Sequence, residues 1–270
     1  MVDINSHILF GVDEGSKNIE QSIRMIKEAK NAGYTRICVT PHYMNNSFTF
    51  SKKTIETNLE EIKNSLKKEN VNVELRIGEE IEVYPELVDD LEFAVSLNNS
   101  RFILIDIPTN KDIFYLNELI NKIQEIGKTP ILAHAQSYIK GQRNFLFMED
   151  LVARGVLLQV DINSIIGQYG EDSQNLACRL LKNNMVSFLA SNSHSSAGYM
   201  MIKNSLEIIK DIIGEDKTYE LTTINPTRAL NNIAIDDTEY VKQRNKRKLE
   251  NLISGFFRTI SLNRAIVKYN

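Results

Sequence analysis

The chain has 270 residues, 42% hydrophobic and 25% charged, ordinary values for a globular protein of one large or two small domains that argue against a disordered or collagen-like chain. No run approaches about 18 apolar residues, so no transmembrane helix is expected. The start lacks a basic segment followed by an apolar one, so no signal peptide is expected, and two cysteines, Cys38 and Cys178, make no disulfide framework and fit a reducing cytoplasm. Net charge is −3, but eight Lys/Arg against one Glu from Lys242 to Asn270 give that tail +7 and leave −10 on the other 241 residues; an acidic body argues against nucleic acid as a partner.

In chain order, short apolar runs predict strands at Val2–Asn5, Arg36–Thr40, Val73–Ile77, Arg101–Ile105, Thr129–His134, Val156–Val160 and Ser187–Ala190. Helices are predicted at Ile19–Ala32, Thr54–Lys68, Tyr115–Ile126, Asn144–Arg154, Ser173–Asn183 and Tyr199–Ile213. In the first, Ile23, Ile26 and Ala29 recur at helical spacing, and Gly33 stands where a helix stop belongs. Seven strand–helix units in about 215 residues imply parallel strands with crossover helices. An open doubly wound sheet and a closed barrel compete. The glycine-rich nucleotide motifs of open sheets are absent, whereas polar residues gather after strand upon strand, the layout of a barrel with its site at the strands' C-terminal ends. A boundary is read near Ala234–Thr238, dividing a barrel (1–235) from a basic extension (236–270).

Four histidines occur: His7, His42, His134 and His194. Each ends a predicted strand or follows one closely. Singly, each reads as a half-buried imidazole; together, at one end of one barrel, they read as ligands. Glu79 and Glu80 follow the third strand, Asp106 the fourth, and Asp13 and Glu14 lie in the loop after the first. Imidazole plus carboxylate suits Mn, Fe or Zn. Asp3, Asn5 and His7 alternate and should share one face. Glu79 and Asp13 read equally well as solvated loop charges. A cysteine phosphatase loop needs Arg six residues after Cys, but those positions hold Met44 and Asn184. Cys38 therefore reads as strand core and Cys178 as helix core. No G-x-S-x-G elbow occurs, which leaves metal-activated water as the enzymatic route.

These residues fall into a familiar series. Asp3-Ile4-Asn5-Ser6-His7-Ile8-Leu9 with Gly11-Val12-Asp13-Glu14-Gly15 resembles the D-I-H-x-H-I-L-P-G-x-D-D-G opening of the PHP family, and specifically its manganese-dependent tyrosine phosphatases of bacterial capsule and exopolysaccharide loci. Val39-Thr40-Pro41-His42, Gly78-Glu79-Glu80-Ile81, Leu104-Ile105-Asp106-Ile107-Pro108, Ile131-Leu132-Ala133-His134, Ala190-Ser191-Asn192-Ser193-His194 and Asn225-Pro226 continue it in order, over residues 1–233. The resemblance implies an α/β fold, a distorted (β/α)7 TIM-like barrel (the PHP fold), here with a C-terminal helical extension. It implies one to three divalent ions, Mn first with Fe or Zn as alternatives. Ligand positions fall on Asn5, His7, Glu14, His42, Glu80, Asp106, His134, Asn192 and His194, catalytic roles on His42, Asp106 and His134, and substrate contacts on Ser137, Lys140 and Arg143. The implied substrate is a phosphotyrosine protein, a membrane-associated tyrosine kinase controlling polysaccharide export, met in the cytoplasm; homo-oligomerisation stays open.

The departures are as informative. Asn5 replaces a histidine and Asn192 an aspartate, each a poorer ligand; Asp106 replaces a glutamate and shortens the reach; Ser137 replaces an arginine that would clamp phosphate. Two other readings therefore stand beside an active phosphatase: a non-catalytic barrel that binds a partner, and a phosphatase of a small metabolite such as histidinol phosphate. In the extension, Leu249, Leu252, Ile253, Phe256 and Phe257 share one helical face beside a basic run. That pattern fits either peripheral membrane contact through 239–258 or a helix packed on the barrel.

Overall fold

The computed structural model describes residues 1–43, 51–87, 91, 94–108, 115–138, 144–236, 238 and 240–246. Its strands are β1 (Val2–Asp3), β2 (Arg36–Val39), β3 (His42–Tyr43), β4 (Glu74–Ile77), β5 (Glu80–Glu82), β6 (Phe102–Asp106), β7 (Thr129–Leu132), β8 (Leu157–Asp161) and β9 (Val186–Ala190). All pair in parallel, in the orders β1-β2-β4 and β3-β5-β6-β7-β8-β9. The two groups are one sheet with two staves broken. Gly78 N bonds Val39 O at 2.9 Å and Glu80 N bonds Pro41 O at 3.1 Å, so pairing continues across both breaks. Counted as staves, β2–β3 and β4–β5 are single, which makes seven. A parallel bridge between Ser6 and Ser193, with Asn192 N to Asn5 O at 3.0 Å, joins β9 back to β1 and closes the barrel. The expected fold class is the observed one.

Around it lie α1 (Ile19–Ala32), α2 (Lys52–Lys68), α3 (Leu116–Glu125), α4 (Asn144–Ala153), α5 (Glu171–Lys182), α6 (Ser196–Ile213), α7 (Glu215–Tyr219) and α8 (Asn225–Leu230). Local chemistry explains α1. Asn18 caps it by accepting from Gln21 N, and Gly33 ends it at φ 106°, a left-handed value that glycine adopts without strain. Its buried stripe of Ile23, Ile26 and Ala29 faces the barrel. No described helix is long and apolar enough to cross a membrane.

Two cores result. The larger lies between strands and helices. The smaller fills the barrel: Val2, Ile4, Cys38, Phe102, Leu104, Ile131, Ala133, Phe188 and Ala190 point inward at period-two spacing, and Leu97, Ala229 and Leu230 plug the end. Cys38 belongs to this inner core, as expected, and burial pushes its thiol pKa up. Cys178 is half-buried on α5 and packs against the outer core. The extension begins against the barrel: Tyr240 OH donates to Glu149 on α4 at 2.7 Å and Val241 packs on the outer core. The amphipathic stretch 249–258 lies outside the described residues.

Candidate active site

Polarity inside the barrel is graded. Above the apolar floor lie Asp3, Asn5, Thr40, Gln159 and Ser191, all buried. Asp3 accepts from Ser191 N and Tyr199 OH, each at 3.0 Å, and burial raises its pKa to about 6. Asn5 Oδ1 accepts from Thr40 Oγ1 at 3.1 Å and its Nδ2 donates to Gln159 at 3.3 Å. His7 stands above them, so the alternation of Asp3, Asn5 and His7 does put three polar groups in the interior.

The next layer is the rim. His42 and Glu80 were expected just beyond their strands. They stand on strand continuations instead, as direct register partners of β3 and β5. Two groups that could hold a metal ion result, His7–His42–Glu80 and Glu80–Asp106–His134, each with donor atoms within 4.8 Å of one another. Glu80, wholly buried, belongs to both. Its Oε2 lies 3.2 Å from His7 Nε2, yet neither atom has an aligned hydrogen bond among the described residues. Its Oε1 meets His134 Nε2. Buried polar atoms are normally hydrogen-bonded; here an imidazole nitrogen and a carboxylate oxygen face each other without an aligned hydrogen bond, and imidazole with carboxylate is a donor set that could hold a first-row divalent ion.

Other acids hold the imidazoles. His7 Nδ1 lies 2.8 Å from Asp13 Oδ2, and Asp13 Oδ1 accepts from Gly15 N at 2.9 Å. Gly15 is required there: a Cβ would meet His7 O at 2.2 Å. Asp13 is thus a buried orienting group, not a solvated loop charge. Glu14 Oε1 sits 3.0 Å from His42 Nε2 and 3.5 Å from His194 Nδ1, and His194 stacks on His7 at 4.0 Å. Glu79 does not join the ligands; it accepts from Val95 N at 2.9 Å.

Burial opposes charge throughout, and specific partners decide the outcome. For His7, Asp13 and Glu80 outweigh burial and push the pKa up to about 10. His134 rises well above its usual value against burial, through Glu80 and Asp161. Glu80 is held well below the usual range by His134 and His7, despite burial. Burial lifts Asp106 to about 6. Burial, then the charge of His7, lowers His194 to about 4. Glu14 is held near about 2, chiefly by its bond to His42.

Of the expected site residues, His7, His42, Glu80, Asp106 and His134 form the two groups, with Glu14 and His194 adjoining. Asn5 is engaged by Thr40 and Gln159, and Asn192 Nδ2 donates to Asp161 at 3.0 Å. Ser137 lies in a short 3₁₀ turn after His134, its Oγ accepting from Gln136 at 3.3 Å. Lys140 and Arg143 lie outside the described residues. Asp161, Gln159 and Gln136 were missed. A signal existed: Gln159 and Asp161 alternate with apolar residues in Leu157-Leu158-Gln159-Val160-Asp161, so both must face one side of a strand.

With this geometry in hand, likeness to known proteins carries weight. Residues 1–231 match the family described as "Capsular polysaccharide synthesis, CpsB/CapC". CapC of Staphylococcus aureus is 30% identical over 72% of this chain and 77% of its own length. The tyrosine-protein phosphatase YwqE of Bacillus subtilis is 28% identical over 82% of this chain and 89% of its own. A solved structure from the pair YwqE of Bacillus subtilis and CpsB of Streptococcus pneumoniae, described as unique metal-dependent tyrosine phosphatases, superposes with a TM-score of 0.81 at 28% identity, covering 87% of this chain and 96% of that one. An amidohydrolase from Mycoplasma synoviae, at a TM-score of 0.55 and 11% identity, shares the fold alone. The closed seven-stave barrel, the paired ligand groups on its rim and the match across nearly all of the described residues agree: this chain belongs to the CpsB/CapC family of capsular polysaccharide synthesis proteins.

Proposed function

We infer that this chain is a metal-dependent phosphotyrosine phosphatase acting in the cytoplasm on a tyrosine-phosphorylated protein of the capsule or exopolysaccharide machinery, a membrane-associated kinase foremost. The observation that carries this reading is the sharing of buried Glu80 by two groups, with Glu80 Oε2 facing His7 Nε2 at 3.2 Å without an aligned hydrogen bond. A divalent ion bound there, Mn first, supplies charge neutralisation for a phosphoryl group and activation of water. The chain's own residues do the rest. Glu80 ties the two groups together, Asp13 holds His7, and Asp106 keeps a carboxyl that changes charge near neutral pH. His194, whose pKa burial and the charge of His7 lower to about 4, stacks on His7 with Nε2 3.2 Å from Asn192 Oδ1. Ser137 brings no charge to bind phosphate. Lys17 and Arg24 line a cavity of about 320 Å³ with Glu14 and His194.

The second reading, a barrel that binds without turnover, is favoured by one observation: Asn5 has both amide atoms engaged by Thr40 and Gln159, and Asn192 is bound to Asp161. The test is elemental analysis of the purified full chain, then release of phosphate from a phosphotyrosine peptide with added Mn, for native protein and Glu80→Gln. Bound Mn and Mn-stimulated turnover, both lost in Glu80→Gln, are expected. A metal-bound, folded but inert native chain that regains turnover in Asn5→His/Ser137→Arg/Asn192→Asp selects the second reading. Turnover on histidinol phosphate alone overturns the protein-phosphatase assignment.

A further inference from the structure

Asp161 ends β8 at 1% exposure, and its contacts are all internal. Its Oδ1 lies 3.0 Å from His134 Nδ1 and accepts from Gln159 Nε2 at 2.8 Å. Its Oδ2 accepts from Gln136 Nε2 at 2.8 Å and from Asn192 Nδ2 at 3.0 Å. A carboxylate has about four lone-pair sites, and four partners occupy them, so Asp161 has none left for a cation. The surrounding carboxamides are tied down in turn. Asp161 N donates to Gln136 Oε1 at 3.1 Å, and Gln159 Oε1 accepts from His134 N at 3.2 Å and from Asn5 Nδ2 at 3.3 Å.

His134 is the residue that needs such support. Its φ is 46°, in the left-handed region that a histidine seldom occupies, at a cost of about 1–3 kcal/mol. Gln159 holds its N–H, and its carbonyl accepts from Ser137 N at 2.7 Å. With Nδ1 donating to Asp161, Nε2, which faces Glu80, is the nitrogen that would give up its proton to an entering cation.

We propose that Asp161 is the positioning residue of the second ligand group. It sets the tautomer and ring plane of His134 so that Nε2 serves Glu80–Asp106–His134, while Gln136, Gln159 and Asn192 keep the Asp161 carboxylate itself out of the ligand set. Asp13 stands to His7 as Asp161 stands to His134, so each group has its own orienting acid, one from the loop after β1 and one from β8. The proposal rests on reading that group as a metal site.

The experiment loads the full chain with Zn and compares native protein, Asp161→Asn and Ser164→Ala. Ser164 Oγ bonds the Asp161 backbone carbonyl at 2.6 Å, so its loss disturbs β8 without touching the carboxylate. Asp161→Asn is expected to weaken one of two Zn ions about 10–100-fold, leave the other in place, and shift the His134 imidazole nitrogen resonances; Ser164→Ala is expected to keep both ions and the native spectrum. Native affinity and spectrum in Asp161→Asn overturn the proposal, and so does equal weakening in the two variants, which marks a purely structural role. Should Asp161→Asn fail to fold, the Zn-loaded native chain decides: a protonated Nδ1 and a bare Nε2 on His134 support the assignment, and the reverse overturns it. A native chain that takes up no ion defeats the metal reading. The metal-free His134 Nδ1–H resonance then still tests the Asp161 bond, supporting it if slow to exchange and overturning it if absent.

Discussion

At the scale of single residues, the rim is a set of charges kept in place by one another. Without an ion, His7 holds a proton at pH 7, since its pKa stands at about 10. An entering cation must displace that proton. Metal affinity should therefore rise with pH from 6 to 9, and calorimetry in buffers of different ionisation enthalpy should show proton release; binding without release would contradict the site. The same shift acts on stability. A histidine whose pKa is raised on folding contributes stability that is full below about 6.5 and is lost as pH rises through the folded value. The metal-free chain should thus lose stability between pH 7 and 10, while the loaded chain should not share that slope. The four histidines and most of the acids were readable as a set because their spacing tracks the strands. Asp161 was not, because its importance lies in four hydrogen bonds, three of them from two other segments, and only the fold brings those donors to it.

Elements with strong local signals stand where the periodicity placed them. The first helix matches its expected bounds, Ile19–Ala32, because cap, stripe and stop coincide. The short strands β3 and β5 escaped prediction because two- and three-residue pieces after Pro41 and Gly78-Glu79 have no period of their own. Tertiary packing makes them strands. Gly78 allows it: a Cβ there would meet Leu97 Cδ2 at 2.8 Å and Cys38 Sγ at 3.3 Å. The inner core fixes the height at which staves meet, so Phe188, wholly buried in it, is a good probe. Phe188→Ala should cost about 3–5 kcal/mol, whereas Leu146→Ala, on a residue 62% exposed, should stay within about 0.5 kcal/mol. Chemical denaturation measures both, and equal costs would show that the inner core does not carry the barrel.

For the molecule as a whole, the family match ends at residue 231, and beyond it Tyr240 bonds Glu149 and Val241 packs on the outer core. If the basic amphipathic stretch meets a lipid surface, deletion of residues 239–270 should abolish sedimentation with anionic liposomes and leave turnover on a small aryl phosphate unchanged; unaltered sedimentation, or none in the full chain, would assign the stretch to packing on the barrel. The sequence alone determined the alternation of strands and helices, the seven-stave count, the clustering of histidines at one end and the absence of nucleotide, thiol and serine machinery. These are local patterns, set by side-chain period and spacing along the chain. Only the tertiary structure decided that Glu80 serves two groups, that Asp13 and Asp161 orient His7 and His134, and that Asn5 is engaged by its neighbours, because each depends on which distant side chains share a buried volume when the barrel closes.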